Sequence, residues 1–282
     1  MRGSIACTVA THAGGADLTF GLDPARPGTD PPSVRLILEA LHYSDLITVY
    51  YESGHAVSAG SIYSTTIRPA PFPNWQWRDF SNYDVTREKP PFAKTQEIHD
   101  AIARDGDDSL FAWVVKHLGS DGWLTCDDGT GEIADFVRYE GNGAVSFIHV
   151  KAATSASPNR PVKVTSFEVV TSQATKNLPY LNIETLIDKL SNPGTPAPAC
   201  WYNGTRIADR TELIEYLKER PAQAPWSIII IQPQMTKRRY EHVAALHNSV
   251  ERTRLKLLET MLNSARGTVT GLGADLEVIG SL

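Results

Sequence analysis

The chain has 282 residues, of which 41% are hydrophobic, enough to bury one large core or two modest ones. A formal net charge of -5 counts against a protein that binds nucleic acid strongly and nonspecifically by itself, because phosphate contacts need clustered Lys and Arg; any such affinity must be local or supplied by a partner. No apolar run is long enough to cross a bilayer; the most apolar, Trp226 to Ile231, is flanked by Pro225 and by Gln232-Pro233, so a membrane role is not expected.

The start of the chain lacks the basic-then-apolar pattern of a secretory signal. Cys7, Cys126 and Cys200 are too few and too scattered for a disulfide framework or a zinc site. A reducing, cytoplasmic setting is expected. Residues Met1 to about Pro31, rich in Gly, Ala, Asp and Pro, suggest a weakly structured lead-in or a strand cut from a longer polypeptide. From Ser33 to His42 the apolar positions recur with helical spacing. Leu46 to Tyr51 and Val57 to Tyr63 then predict strands joined by a turn at Ser53-Gly54-His55.

Arg68 to Phe92 is rich in proline and holds Phe72, Trp75, Trp77, Phe80 and Tyr83, so it is no regular helix. Its aromatics are of a kind that stacks bases, although loop aromatics more often pin a loop to the core. Helical spacing returns at Thr95 to Ala103 and at Asp108 to Leu118, the latter with an acidic cap at Asp107-Asp108-Ser109. Trp123 to Cys126, Glu132 to Tyr139 and Ala144 to Ala152 predict three strands, with a hairpin turn at Glu140-Gly141-Asn142-Gly143. Val164 to Leu178 mixes signals and reads as a strand or turn leading into a short helix around Gln173. Helices are expected at Leu181 to Leu190, at Arg210 to Glu219 and, as one long helix, at Tyr240 to Ser264. Trp226 to Ile231 predicts a strand covered on both faces, and Leu276 to Ile279 a last strand. The basic clusters Lys237-Arg238-Arg239 and Arg252, Arg254, Lys256 read first as solvated helix faces.

The chemistry concentrates in Cys126 to Val137, where Asp127, Asp128, Glu132 and Asp135 place four carboxylates within nine residues at the start of a strand. Strand interiors rarely tolerate such acidity. One hairpin later, the apolar strand Val145 to Lys151 carries His149 and Lys151 two residues apart, hence on one face. A carboxylate on the neighbouring strand is their natural partner. Carboxylates beside a lysine are what metal-assisted phosphodiester hydrolysis requires: the acids hold Mg²⁺, and the lysine orients water and offsets charge on the phosphate. The ordinary alternative is a surface acidic turn, a cross-strand salt bridge to Lys151, and a core histidine satisfied by hydrogen bonds.

The acidic strand Glu132-Ile133-Ala134-Asp135-Phe136-Val137, a Gly-containing turn, and an apolar strand ending in His149-Val150-Lys151 together resemble the PD-(D/E)xK nuclease motif. The resemblance implies an α+β fold with a restriction-endonuclease-like central mixed sheet flanked by helices. The nuclease core would span about 106–282, with residues 1–105 as an N-terminal β-rich extension. It implies Asp135 as metal-binding aspartate, Lys151 as catalytic lysine, Gln173 as a positioning glutamine on the helix after the third strand, and Lys176 on the same segment as a substrate contact. Asp108 to Leu118 would be the first core helix and Trp226 to Ile231 the outer strand. Mg²⁺ or Mn²⁺ would be the cofactor, held by Glu132, Asp135 and His149. DNA is a more natural substrate than RNA. The end of the chain is similar to nuclease-like domains linked to bacterial helicases and antiphage defence, which implies a helicase or other protein partner that delivers the nucleic acid.

Two departures matter. His149 stands where the family carries an acid, and imidazole suits Mn²⁺ and other transition metals better than Mg²⁺. The first helix lacks the Glu that many members place there, with Asp107 or Asp108 as stand-ins. A catalytically inactive nuclease-fold module for nucleic-acid binding or assembly is therefore the alternative function. Strand register offers a separate check. If the turn is Gly141-Asn142-Gly143 with Gly143 left-handed, Glu140 pairs with Ala144 and Asp135 falls opposite His149; a two-residue turn would put Asp135 on the other face. The three-residue turn is expected. Glu132, three residues before Asp135, can then join only from the turn ahead of the strand or through a bulge. No nucleophile elbow, P-loop, His-Glu-x-x-His or Cys-x-x-Cys motif is present.

Overall fold

The computed structural model describes residues 5–12, 15–22, 31–43, 48–50, 55–58, 61–64, 70–129 and 131–282. Contacts divide the chain into two units, Met1–Arg68 and Pro69–Leu282. In the first, β1 (Ile5–His12) and β2 (Gly15–Leu22) pair antiparallel from Ile5↔Leu22 to His12↔Gly15. Of the two readings that the composition of this stretch allows, a weakly structured lead-in or a strand, the strand is found, and β-branched and aromatic residues such as Thr8, Val9, Thr19 and Phe20 favour it. After α1 (Pro31–Leu41), β3 (Thr48–Tyr50), β4 (His55–Ser58) and β5 (Ser61–Ser64) form an antiparallel meander. The stretch from Val57 to Tyr63 is thus two strands rather than one, and residues 53 and 54 of the expected turn lie outside the described residues.

The second unit is built on β6 (Trp75–Arg78), β7 (Trp123–Cys126), β8 (Phe136–Tyr139), β9 (Val145–Val150), β10 (Cys200–Tyr202), β11 (Thr205–Ile207), β12 (Trp226–Thr236) and β13 (Ala274–Ser281). They form one sheet in the order β11-β10-β7-β8-β9-β12-β13-β6. Pairing is antiparallel from β11 to β9 and parallel from β9 to β6, so the sheet is mixed, as expected. Alternation along the strands divides the core. Phe147, Ile228 and Ile230 join one apolar layer with Phe167, Leu186 and Leu258, while Ile148, Ile229 and Ile231 join the other with Phe111 and Val114. Helices therefore cover both faces, and the continuous apolar run of β12 follows from its double burial. β12 lies between β9 and β13, so it is an interior strand and not the outer one.

Residues 69–105 belong to this second unit and not to the N-terminal extension. β6 supplies the sheet's edge, and α2 (Thr95–Ala101) lends Ile98 to the core. The loop aromatics pin rather than project: Trp75 stacks on Trp77 at 5.0 Å and meets Phe167 and Tyr240, while Phe80 stacks on Trp113 at 4.5 Å. α3 (Leu110–Leu118) is capped by Ser109, whose side chain accepts from Ala112 N–H, and not by Asp107 or Asp108. The carbonyls of Arg87 and Glu88 take the next two free N–H groups, those of Leu110 and Phe111.

The ambiguous segment is a full helix, α4 (Thr165–Lys176), because Phe167, Val170, Thr171 and Ala174 are its buried residues and fall on one helical face; the β-branched residues favoured strand only locally. α5 (Ile183–Ser191) and α6 (Thr211–Lys218) match expectation. The long C-terminal helix is broken into α7 (Lys237–Ala245) and α8 (Val250–Thr270), with Asn248 at φ 52° and Ser249 capping the second through Arg252 N–H.

The β8–β9 turn is the three-residue form. Glu140 N–H donates to Ala144 at 2.9 Å, Gly143 N–H donates to Glu140 at 2.8 Å, and Gly143 has φ 84°. A Cβ on Gly143 would also stand 2.9 Å from Pro221 Cδ. Gly143→Ala is expected to destabilise the protein by about 2 kcal/mol in urea titration, combining left-handed strain with this clash. A loss below about 0.5 kcal/mol would contradict the turn geometry.

Candidate metal centre

Asp135 lies one residue ahead of β8, and the β8–β9 register carried back one step puts it opposite His149. Its carboxylate does not stand over the sheet face. Instead Oδ2 accepts from Val150 N–H at 2.7 Å, while the Asp135 carbonyl accepts from Asp127 N–H at 3.0 Å. The loop between β7 and β8 is therefore closed across its own two ends and tied to β9. Within it, Asp127 Oδ2 accepts from Ile133 N–H at 3.1 Å, and Glu132 Oε2 accepts from Gly129 N–H at 3.1 Å. Asn177, just after α4, donates to the carbonyls of Glu132 and Ile133.

This folding brings Asp128, Glu132 and Asp135 together, with one carboxylate oxygen from each lying within 4.8 Å of the others. Asp128 and Asp135 are buried and Glu132 partly so. Glu132 joins from the turn ahead of the strand, by the first of the two routes its spacing allowed. Asp128 takes the third place, which the sequence reading gives to His149, and its only signal in the sequence is membership of the acidic run.

His149 does not belong to this cluster. Its imidazole is buried, Nε2 has no hydrogen-bond partner, and burial followed by the positive charge of Lys176 lowers its pKa to about 4. The physical reason is that the Asp135 carboxylate turns onto the Val150 backbone and leaves the imidazole without it as a partner. Lys176 is exposed beside it. Gln173 is partly buried and donates to Glu132 Oε1 at 3.3 Å, so it holds an acid rather than Lys151.

Lys151 finds its partner away from the neighbouring strand. Its Nζ lies 2.7 Å from Glu88 Oε2, and Lys89 places its Nζ 2.8 and 2.9 Å from the two oxygens of Asp128. Glu88 and Lys89 come from the proline-rich passage and carried no signal in the sequence. They are delivered because the carbonyls of residues 87 and 88 dock on the start of α3 and Val85 accepts from Ala153 N–H. Asp107 and Asp108 are committed elsewhere, Asp107 to the N–H groups of Ala103 and Ser109, Asp108 to Arg87. The acid that meets Lys151 is Glu88, whose carbonyl accepts from Phe111 N–H at the start of α3.

Two buried anchors hold the loop. His99 Nδ1 accepts from Ala199 N–H at 3.0 Å, which leaves Nε2 to donate to the Asp128 carbonyl at 2.9 Å; burial lowers its pKa and keeps this neutral form. Asp127 pairs with Arg210 at 3.2 Å, both nearly fully buried. Removing either partner of such a pair strands a buried charge, at about 3–5 kcal/mol.

The cluster's electrostatics are unfavourable without a counter-ion. Burial pushes the Asp135 carboxyl well up, the Val150 N–H opposes this, and Glu132, Glu88 and Asp128 raise it further. Glu132 is likewise raised, by burial first and then by Asp128 and Asp127, against Gly129 N–H and Lys89. For Lys89 burial acts downward, but the bond to Asp128 and the charges of Asp128, Glu88 and Asp135 together raise its pKa. An all-oxygen set of three acids suits a hard divalent cation such as Mg²⁺ or Mn²⁺, which would relieve this repulsion.

Two outcomes follow from the signs of these shifts. Because the folded Asp135 pKa lies above its unfolded value, its charge costs the fold stability as pH rises through the folded value. In EDTA at neutral pH, Asp135→Asn should therefore melt at or above the wild type, while losing the Mg²⁺- or Mn²⁺-induced rise in Tm. A variant that melts well below the wild type in EDTA would contradict this. His149 has the opposite sense: its contribution is complete above pH 6.5 and is lost as pH falls toward about 4. The stability advantage of wild type over His149→Gln should narrow by roughly 1–2 kcal/mol between pH 7 and pH 5, and a constant difference would show that the imidazole is not held neutral. No protein-family model, curated protein or solved structure matches this chain.

Proposed function

We propose that the chain is a divalent-metal-dependent nuclease on a restriction-endonuclease-like fold, hydrolysing phosphodiester bonds of DNA in preference to RNA. The observation that carries this reading is the convergence of Asp128, Glu132 and Asp135, with Lys151 joined to the same neighbourhood through Glu88. The order α3-β7-β8-β9-α4, with β12 following after the intervening α5, β10, β11 and α6, is also compatible with the helix–three strands–helix–strand succession that the resemblance implies.

Asp128, Glu132 and Asp135 would hold the ion through oxygen. When bound, Mg²⁺ or Mn²⁺ supplies Lewis acidity and neutralises phosphate charge. The chain's own groups do the rest. Lys151 presents an ammonium that offsets negative charge developing on the phosphate, and Glu88 orients it. Gln173 and Gly129 N–H fix the two oxygens of Glu132. Lys89 offsets the acids' charge before the ion arrives. The net charge of -5 supports delivery of the nucleic acid by a partner, such as a helicase of a bacterial defence system.

A second reading, an inactive module for nucleic-acid binding or assembly, is favoured by the engagement of both Lys89 and Lys151 by carboxylates. Incubation with plasmid or single-stranded DNA and Mg²⁺ or Mn²⁺ separates the two. Wild type is expected to cut, and Lys151→Ala and Asp135→Asn to lose roughly 10²-fold or more of the rate. Undiminished cutting in Lys151→Ala refutes the nuclease reading. A wild type whose Tm rises with metal but which cuts no substrate supports the assembly module.

A further inference from the structure

Arg104, Lys116 and Arg206 line a single cleft of about 340 Å³, and no carboxylate lines it. They reach it from three places: the loop after α2, the last turn of α3, and β11. Among the described residues none of the three forms an ion pair, whereas Arg87, Lys89, Lys151 and Arg210 all do. Three unpaired cations in one recess repel one another. Burial and then the charge of Arg104 lower the pKa of Arg206, and Asp100 offsets only part of this.

The arrangement is built rather than incidental. Arg206 donates to the carbonyls of His99 at 2.6 Å and Ile102 at 3.1 Å, and its guanidinium sits 5.2 Å from the ring centroid of Trp201. These contacts fix the planar group at the end of α2. They engage its two terminal nitrogens once each, so a guanidinium with five N–H donors keeps others for a ligand. Trp201 is only 2% exposed, so the cleft offers no aromatic face on which a base could stack.

We propose that this cleft binds a phosphate group through Arg104, Lys116 and Arg206, without reading a base. A compact oxyanion matches the charge, the donors and the volume. The cleft is joined to the acidic loop by one residue: Arg206 holds the His99 carbonyl, and the His99 imidazole holds the Asp128 carbonyl. The phosphate belongs either to a nucleic-acid backbone or to a free polyphosphate such as a nucleoside triphosphate. Binding there does not depend on whether the acids cut.

The test is made in EDTA on the full chain, so that hydrolysis cannot interfere. Fluorescence anisotropy with a labelled single-stranded oligonucleotide and calorimetry with inorganic pyrophosphate compare wild type with the double variant Arg104→Ser/Lys116→Ser. Arg206 is left in place because it caps α2. The double variant is expected to bind at least tenfold more weakly, with a salt dependence shallower by roughly one to two phosphate contacts, while Arg104→Lys/Lys116→Arg keeps the wild-type affinity. Loss of oligonucleotide binding identifies a backbone site. Loss of pyrophosphate binding, where the oligonucleotide never bound, identifies a free polyphosphate. Equal binding by wild type and Arg104→Ser/Lys116→Ser, or no binding of either probe by wild type, overturns the proposal.

Discussion

Three carboxylates held within a few ångströms of one another in a largely buried setting repel, and the surrounding structure is arranged to tolerate that repulsion. Backbone N–H groups of Val150 and Gly129 donate to Asp135 and Glu132, and the Lys89 ammonium donates to Asp128. The neighbouring Asp127 is neutralised by Arg210. Each of these partners comes from a different part of the chain. The acidic loop can keep its shape only while the sheet, the start of α3 and α6 are all in place.

The sheet is what makes this assembly rigid. β8 and β9 sit in its interior, flanked by β7 and β12, and helices cover both faces. A loop between two interior strands has little freedom, and the tie from His99 on α2 to the Asp128 carbonyl removes more of it. The same helix ends against Arg206, so the acid cluster and the basic cleft share one structural support.

Much of the fold was legible because periodicity records burial. The three strands β7 to β9, the doubly buried β12, and α2, α3, α5 and α6 all carry runs whose spacing matches the face they bury. Legibility failed where local and tertiary preferences diverge. α4 carries β-branched residues that read as strand until their burial pattern against β12 is seen, and the break between α7 and α8 depends on a few capping residues within a run that stays helical in spacing. β10 and β11 are only three residues each, too short to show a period.

The sequence by itself determined the acidic run, the lysine two positions beyond His149, and the glycine turn whose left-handed residue sets Asp135 opposite that histidine, because each is a matter of local spacing and backbone conformation. Tertiary structure alone decided which acids meet. Asp128 replaces His149 as the third member, since the Asp135 carboxylate bonds to backbone and the imidazole is buried elsewhere. Glu88 and Lys89 reach the site from a proline-rich passage whose course is set by carbonyls docking on α3, a long-range contact that leaves no pattern among neighbouring residues.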